Sequence, residues 1–258
     1  MADYDLLGNI AVIKSEEKGR KKTKSEKLKQ AKELLKKPGI RTVLEKASDV
    51  KGRLRTIRAK HVLGEKNKIA LIKENDCSFK FNVETCYFSP RLSNERKLIA
   101  DKIKNRERVL VMFAGVGVYP IVIYKKSQAE VVGVELGKDC CNYFKENLKL
   151  NKIPEGKIKI IQGDVKKKIN IKLGKFDVIL MPRPNLKESF LKPALIVSKK
   201  GTRIYYNAFC HVNEIKKVSK DLVSEAKSLG KKIKILKIVK AGDIAPYKYR
   251  YRIEMKVI

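Results

Sequence analysis

The amino-acid order predicts an open α/β sheet, doubly wound and mainly parallel, behind a smaller α+β module. Three observations carry that expectation. From residue 107 onward, short β-branched apolar runs alternate with longer helical stretches. Those runs are apolar at nearly every position, as strands covered on both faces require. The first of them, VLVMF at 109–113, runs into the small-residue loop AGVG at 114–117. Such a loop lets a ligand approach the backbone at the carboxyl end of a first strand.

Taken in order, LGNIAVIK (7–14) reads as a strand, and KTKSEKLKQAKELLKK (22–37) as an amphipathic basic helix ended by Pro38 and Gly39. IRTVLEKA (40–47), GRLRTIRAKHVL (52–63), KIALIKE (68–74) and SFKFNV (78–83) read as strands. A helix over 90–104, with Ser89 as N-cap and Pro90 at its first position, bridges into the sheet. Then follow a strand at 107–113, a helix after the glycine loop, a strand at 130–136, a helix at 138–151 and a strand at 157–162. Strands at 176–181 and 202–207 flank a helical stretch at 185–199. A helix at 212–230 closes at Gly230, and strands at 231–242 and 247–258 form an antiparallel edge. The division expected is a basic α+β module over 1–105 and a sheet domain over 106–258.

With 258 residues, 43% of them hydrophobic, the chain can bury a sizeable core. Its 61 Lys and Arg against 28 Asp and Glu give a net charge of +33, which points to a polyanion. Nucleic acid and an anionic membrane surface are the two such partners; the alternative is lysine-rich helix faces that are simply solvated. No run reaches the roughly 18 apolar residues of a membrane span, and MADYDLLGNIAVIK lacks the basic start of a signal peptide. A cytoplasmic protein with no membrane segment and no obligate protein partner is expected. Five cysteines without a CxxC pair and only two histidines predict no metal site.

Gly115 and Gly117 supply a GxG turn without the third glycine of a dinucleotide fingerprint. Glu135, ending the next strand, can accept from both hydroxyls of a ribose, and Asp164, ending the third in QGD, from an adenine amino group. Each acid alone reads equally as a solvated loop residue, and the glycines as a packing turn. The ordered series suggests an adenosine-bearing ligand without a diphosphate, S-adenosylmethionine.

The runs NVETCYFSPRLSNERKLIA (82–100), VLVMFAGVG (109–117), VVGVEL (131–136), GD (163–164) and IAPYKYRYRI (244–253) carry a resemblance. Nearly the whole chain resembles the archaeal and eukaryotic-type tRNA (guanine-N1)-methyltransferase family, which acts on guanosine 37 beside the anticodon. A related branch transfers the aminocarboxypropyl group of the same cofactor in wybutosine synthesis. The resemblance implies a class I, Rossmann-like methyltransferase sheet, S-adenosylmethionine as cofactor, and the anticodon stem-loop of tRNA as partner. It places the general base on Glu95 and the arginine for guanine O6 on Arg55. Cofactor contacts fall on Tyr87, Phe113, Ala114, Gly115, Gly117, Glu135, Asp164 and Met181; RNA contacts fall on Arg53, Arg58, Arg91 and Arg183.

Methylating guanine N1 requires removal of its proton, and with histidines scarce a carboxylate is the natural base. Glu95 shares a helix face with Leu92 and Ile99, which predicts partial desolvation and a raised pKa. Its alternative is a helix salt bridge with Arg91 or Lys102. Arg55 has the alternative of a solvated strand residue or phosphate contact, and Tyr87 that of core packing. Two positions depart from the family: Val111 stands where it carries an acid, and Pro182, Arg183 and Pro184 stand where it has Asn-Leu-Pro. Either Arg183 takes over the asparagine's contact or the prolines aim main-chain carbonyls at the base. The chain resembles a short form lacking an extra N-terminal domain, which leaves phosphate contacts to residues 23–37 and the arginines of 52–58. Two other readings stay open: aminocarboxypropyl or methyl transfer to a wybutosine-type guanosine, and a non-catalytic RNA-binding module.

Overall fold

A computed structural model describes residues 3–17, 19–48, 52–183, 185–186 and 188–258. Where one strand was expected at 7–14 there are two: β1 (Tyr4–Leu7) folds back on β2 (Ile10–Lys14). A minimal ladder, β3 (Glu16–Glu17) with β4 (Arg20–Lys21), leads into α1 (Lys24–Leu35). That helix starts at Thr23, whose hydroxyl accepts from the Glu26 N–H at 3.2 Å while the Glu26 carboxylate accepts from the Thr23 N–H at 2.7 Å. Lys24, Lys29 and Lys32 face solvent, Lys27 pairs with Glu45 at 2.6 Å, and Ala31 and Leu34 pack on Ile13 and Val43. β5 (Thr42–Lys46) lies parallel to β2, and β6 (Ala59–Gly64) antiparallel to β5. The strand expected from residue 52 therefore begins only at Ala59. Residues 52–55 form a turn with Gly52 and Arg55 in the left-handed region, which no straight strand accommodates.

β7 (Ile69–Glu74) and β8 (Cys77–Asn82) form a hairpin whose turn residues, Asn75 and Asp76, are both left-handed, as a two-residue turn requires. A 3-10 turn at Pro90–Leu92 precedes α2 (Ser93–Ala100), shorter than the expected helix over 90–104. Ser89 occupies the cap position, but its hydroxyl makes no capping bond.

The main sheet uses β9 (Arg108–Met112), β10 (Glu130–Glu135), β11 (Ile158–Gln162), β12 (Phe176–Met181), β13 (Ser198–His211), β14 (Ile233–Ala245) and β15 (Lys248–Val257). Their order is β11-β10-β9-β12-β13-β15-β14, the first five parallel and the last two antiparallel. Side chains alternate between two cores. Val109 and Val111 face α2, α3 (Val118–Ser127) and α4 (Lys138–Leu150), while Leu110 and Met112 face α5 (Val165–Lys168), α6 (Leu191–Ile196) and α7 (Ile215–Ser228). Val111 is fully buried, so the position that carries an acid in the family is a core contact here. The helical stretch expected at 185–199 is shorter because left-handed Phe190 breaks it before Leu191, and the strand that follows begins at Ser198. Among the described residues no helix is long and apolar enough to cross a membrane.

The core runs without a break across residues 105 and 106. Phe79 and Phe81 of β8 pack in the same cluster as Val109, Phe144 and Tyr205. Asn147 on α4, fully buried, accepts from the Lys80 N–H at 2.8 Å and donates to the carbonyls of Lys80 at 3.1 Å and Val116 at 3.0 Å. One turn on, Asn151 accepts from the Ser78 N–H at 2.8 Å and donates to the Ser78 carbonyl at 2.7 Å. Two asparagine amides thus extend the hairpin's hydrogen bonding onto a helix.

Candidate functional site

At the carboxyl ends of β9, β10, β11 and β12 a cavity of about 730 Å³, open mouth included, lies between the sheet and the turn at 52–55. Glu135 forms its inner wall. It is 9% exposed, and its two carboxylate oxygens accept from the Gly115 and Gly137 N–H groups, each at 2.8 Å. Burial raises its pKa, and the main-chain donors only partly offset that. One lone pair on each oxygen remains for a ligand hydroxyl.

The two loop glycines do different work. A Cβ on Gly115, left-handed at φ 56°, would meet nothing within 4 Å, so the backbone lies open to the cavity. A Cβ on Gly117 would stand 2.1 Å from the Phe144 ring; Gly117 serves helix packing and does not line the cavity. Ala114 and Met181, also expected at the cofactor, are buried in the two cores behind it. Phe113 and Phe190 do line it, as an edge-to-face pair 5.0 Å apart, both left-handed at φ 57° and 58°. Non-glycine residues adopt that conformation at a cost and are concentrated at functional sites.

Across the mouth, Asp164 caps α5 by accepting from the Lys166 N–H at 2.9 Å and takes a 2.8 Å ion pair from Arg53. Burial works against its ionisation, but these donors outweigh it and hold the carboxyl below the ordinary aspartate range. Arg53, expected on RNA, is therefore seated on the residue expected at adenine. The Arg55 guanidinium lies 3.6 Å over the Tyr87 ring, and both line the cavity.

Other expected residues stand elsewhere. Glu95 is 7% exposed and outside the cavity lining; both its oxygens lie 2.6 Å from Nη1 of Arg252 on β15. Its partner is thus neither Arg91 nor Lys102, which pair with Asp5 at 2.7 Å and Glu254 at 2.6 Å. The carboxylate expected to be partly desolvated is buried and paired, with a cation from another element. Arg91 lines a separate cleft, and Arg58 is exposed, its N–H bound to the Ser48 hydroxyl at 2.9 Å. Arg183 turns inward at 7% exposure, donates to the carbonyls of Leu186 at 2.7 Å and Glu188 at 3.0 Å, and lies over Tyr206 at 5.0 Å. It ties down the loop after β12 and does not line the cavity. Pro182 lines the cavity; Pro184 lies outside the described residues.

Cys140, Leu186 and Phe190 join the lining without any signal in the sequence, because the loop after β12 and the start of α4 converge only in three dimensions. The Cys140 thiol donates to Cys86 Sγ at 2.8 Å, and that contact, with burial, pushes its pKa up. The two thiols join the segment before Tyr87 to the wall beside Glu135.

The family described as the TRM5/TYW2 methyltransferase domain matches residues 70–236. The chain is 31% identical over 304 aligned positions to the tRNA (guanine(37)-N(1))/4-demethylwyosine(37)-methyltransferase Taw22 of Nanoarchaeum equitans, covering 99% of both chains. It is 29% identical to the tRNA (guanine(37)-N(1))-methyltransferase Trm5b of Pyrococcus abyssi, over 98% of this chain and 74% of that protein. The crystal structure of Pyrococcus abyssi Trm5b superimposes with a TM-score of 0.85 over 98% of this chain and 74% of that one, at 29% identity. That of TYW2 from P. horikoshii in complex with MeSAdo has the same fold, with a TM-score of 0.83 at 22% identity over 99% of this chain and 90% of that one.

Proposed function

Because the chain belongs to the TRM5/TYW2 methyltransferase family, we propose that it methylates N1 of guanosine 37 in tRNA with S-adenosylmethionine as donor. The observation that carries this reading is Glu135, a buried carboxylate held by two main-chain donors beside an open left-handed glycine. Those features fit the ribose of an adenosine-bearing cofactor. Phe113 and Phe190 flank its base and Asp164 meets the adenine amino group, exchanging part of its pairing with Arg53. When bound, the cofactor supplies a methyl group on a sulfonium sulfur. In this reading residues 106–258 hold it, and residues 1–105 hold RNA.

Arg55, stacked on Tyr87 at the cavity wall, donates to guanine O6 and stabilises the charge that develops there as N1 loses its proton. Glu95, which lies outside the cavity lining, would take that proton only on leaving its contacts with Arg252. The bound cofactor would supply the methyl carbon to N1 and leave as the thioether, and the residues that position the two would supply most of the acceleration. A cleft of the N-terminal module lined by Lys14, Lys21, Lys22, Lys27, Lys46 and Lys60, with Glu16 and Glu45 among them, supports phosphate contacts to the anticodon stem. A cytoplasmic setting goes with that substrate.

One observation favours a second reading. The relative matched over 99% of both chains is named for 4-demethylwyosine as well as guanosine, and Pro182 replaces the family's asparagine beside the cavity. Methyl transfer to 4-demethylwyosine 37 uses the same residues. Nucleoside mass spectrometry decides between them, with the enzyme and S-adenosylmethionine incubated with tRNA carrying either base. Formation of 1-methylguanosine, abolished in Glu135→Ala, supports the first reading. Product from the tricyclic base alone replaces it with the second, and no product from either refutes both.

A further inference from the structure

The cavity beside Glu135 does not end at Arg55 and Tyr87. Both residues also line a second pocket, which shares Asp5 and Pro90 with a wide third cleft under the β14–β15 turn. Three pockets that share wall residues pairwise therefore follow one another from the cavity beside Glu135 to the β14–β15 turn.

The far end is aromatic, and its charges are paired, Arg91 with Asp5 at 2.7 Å and Lys240 with Asp243 at 2.8 Å. Tyr247 projects from the turn at 66% exposure, in the left-handed conformation at φ 58°. The turn is anchored by a 2.9 Å bond from the Val212 N–H to the Tyr247 carbonyl, with the His211 ring 5.9 Å away. Tyr249 and Tyr4 line the same cleft, each with an ammonium over its ring: Lys240 at 3.7 Å and Lys37 at 5.1 Å. A large ring held open to solvent by a strained but anchored turn is already ordered for stacking. Aromatic faces beside cations along a groove are the chemistry that grips unpaired bases in RNA loops.

We infer that this cleft is a subsite for an unpaired nucleotide next to the one modified, with Tyr247 as its stacking face. The inference rests on the proposed RNA substrate and deepens it. The base to be modified enters at Arg55 and Tyr87, the backbone follows these pockets past Pro90, and a neighbouring base stacks on Tyr247.

The test uses the full chain and an anticodon stem-loop with 2-aminopurine at the nucleotide on either side of guanosine 37. Tyr247→Asn removes the ring while tolerating the left-handed backbone, and Tyr247→Phe keeps the ring. Wild type and Tyr247→Phe are expected to quench one probe on binding; Tyr247→Asn is expected to lose the quench and bind about tenfold more weakly. Unchanged quenching and affinity in Tyr247→Asn would overturn the subsite, as would absence of RNA binding by wild type. So would a wild-type dimer that Tyr247→Asn dissociates without affecting RNA affinity, because the cleft would then join two copies of the chain. Product analysis on the same RNA separates the two ideas. Quenching without 1-methylguanosine refutes the methylation reading alone, and 1-methylguanosine without quenching refutes the subsite alone.

Discussion

Replacing Arg252 by methionine isolates the energetics of the pair that holds Glu95. In the native fold the Arg252 guanidinium donates from Nη1 to both Glu95 oxygens at 2.6 Å and from Nε to Glu254 at 2.9 Å, with both side chains of the Glu95 pair under 10% exposed. Glu254 keeps a second partner, Lys102 at 2.6 Å, but no other cation bonds Glu95 among the described residues. Arg252→Met should therefore leave one carboxylate buried and uncompensated, at about 3–5 kcal/mol of stability. For a chain of this length that lowers Tm by roughly 6–20 °C. The double variant Arg252→Met, Glu95→Leu removes both charges, and apolar packing of similar volume is expected to restore most of the loss. Urea unfolding followed by circular dichroism at neutral pH measures all three proteins. A single variant that loses under about 1 kcal/mol, or a double variant no more stable than the single, would refute this account of how Glu95 is held.

Gly115→Ala should leave stability within about 1–2 kcal/mol of wild type, the cost of a left-handed alanine, and weaken S-adenosylmethionine binding measured by calorimetry, because its Cβ enters the cavity. Gly117→Ala should instead destabilise the fold strongly, since its Cβ overlaps Phe144, and thermal melts should separate the two variants. The raised pKa of Glu135 gives a sign for pH. Cofactor hydroxyls need the ionised carboxylate, so affinity should fall as pH drops through that raised value, above the ordinary carboxylate range, and Glu135→Gln should bind weakly at every pH. The same group's contribution to stability runs the other way, present below its unfolded pKa and lost as pH rises through the folded one. With a net charge of +33, RNA affinity in gel shifts should fall steeply between about 50 and 200 mM salt; a flat series would count against phosphate contacts.

The strand and helix alternation from residue 107 was legible because each buried strand writes its apolar run locally, and Gly115, Glu135 and Asp164 were legible because that alternation puts strand ends on one rim. What failed depended on distant partners. The turn carrying Arg53 and Arg55 reads as strand because its residues alternate suitably, yet among the described residues no strand pairs with residues 52–55. Glu95 was placed on a half-buried helix face correctly, but Arg252 lies 157 residues away and only the antiparallel edge brings it there. The bonds of Arg183 to its own loop were not legible either, because nothing in the sequence tells that the following residues return their carbonyls to it.

The asparagine stitching of β8 to α4 bears on which parts of this chain can be inherited or transplanted as a unit. Backbone groups of Ser78 and Lys80 are satisfied by Asn151 and Asn147, and Phe79 and Phe81 fill the core beneath the cofactor wall. A fragment beginning at residue 106 would expose that apolar face and strip the two amides of their partners. The smallest heritable block therefore begins with the hairpin, near residue 70 where the methyltransferase-domain match begins, and carries the Tyr87 and Glu95 segment with it. Selection acting on the wall of the cavity is obliged to act on part of the N-terminal half as well.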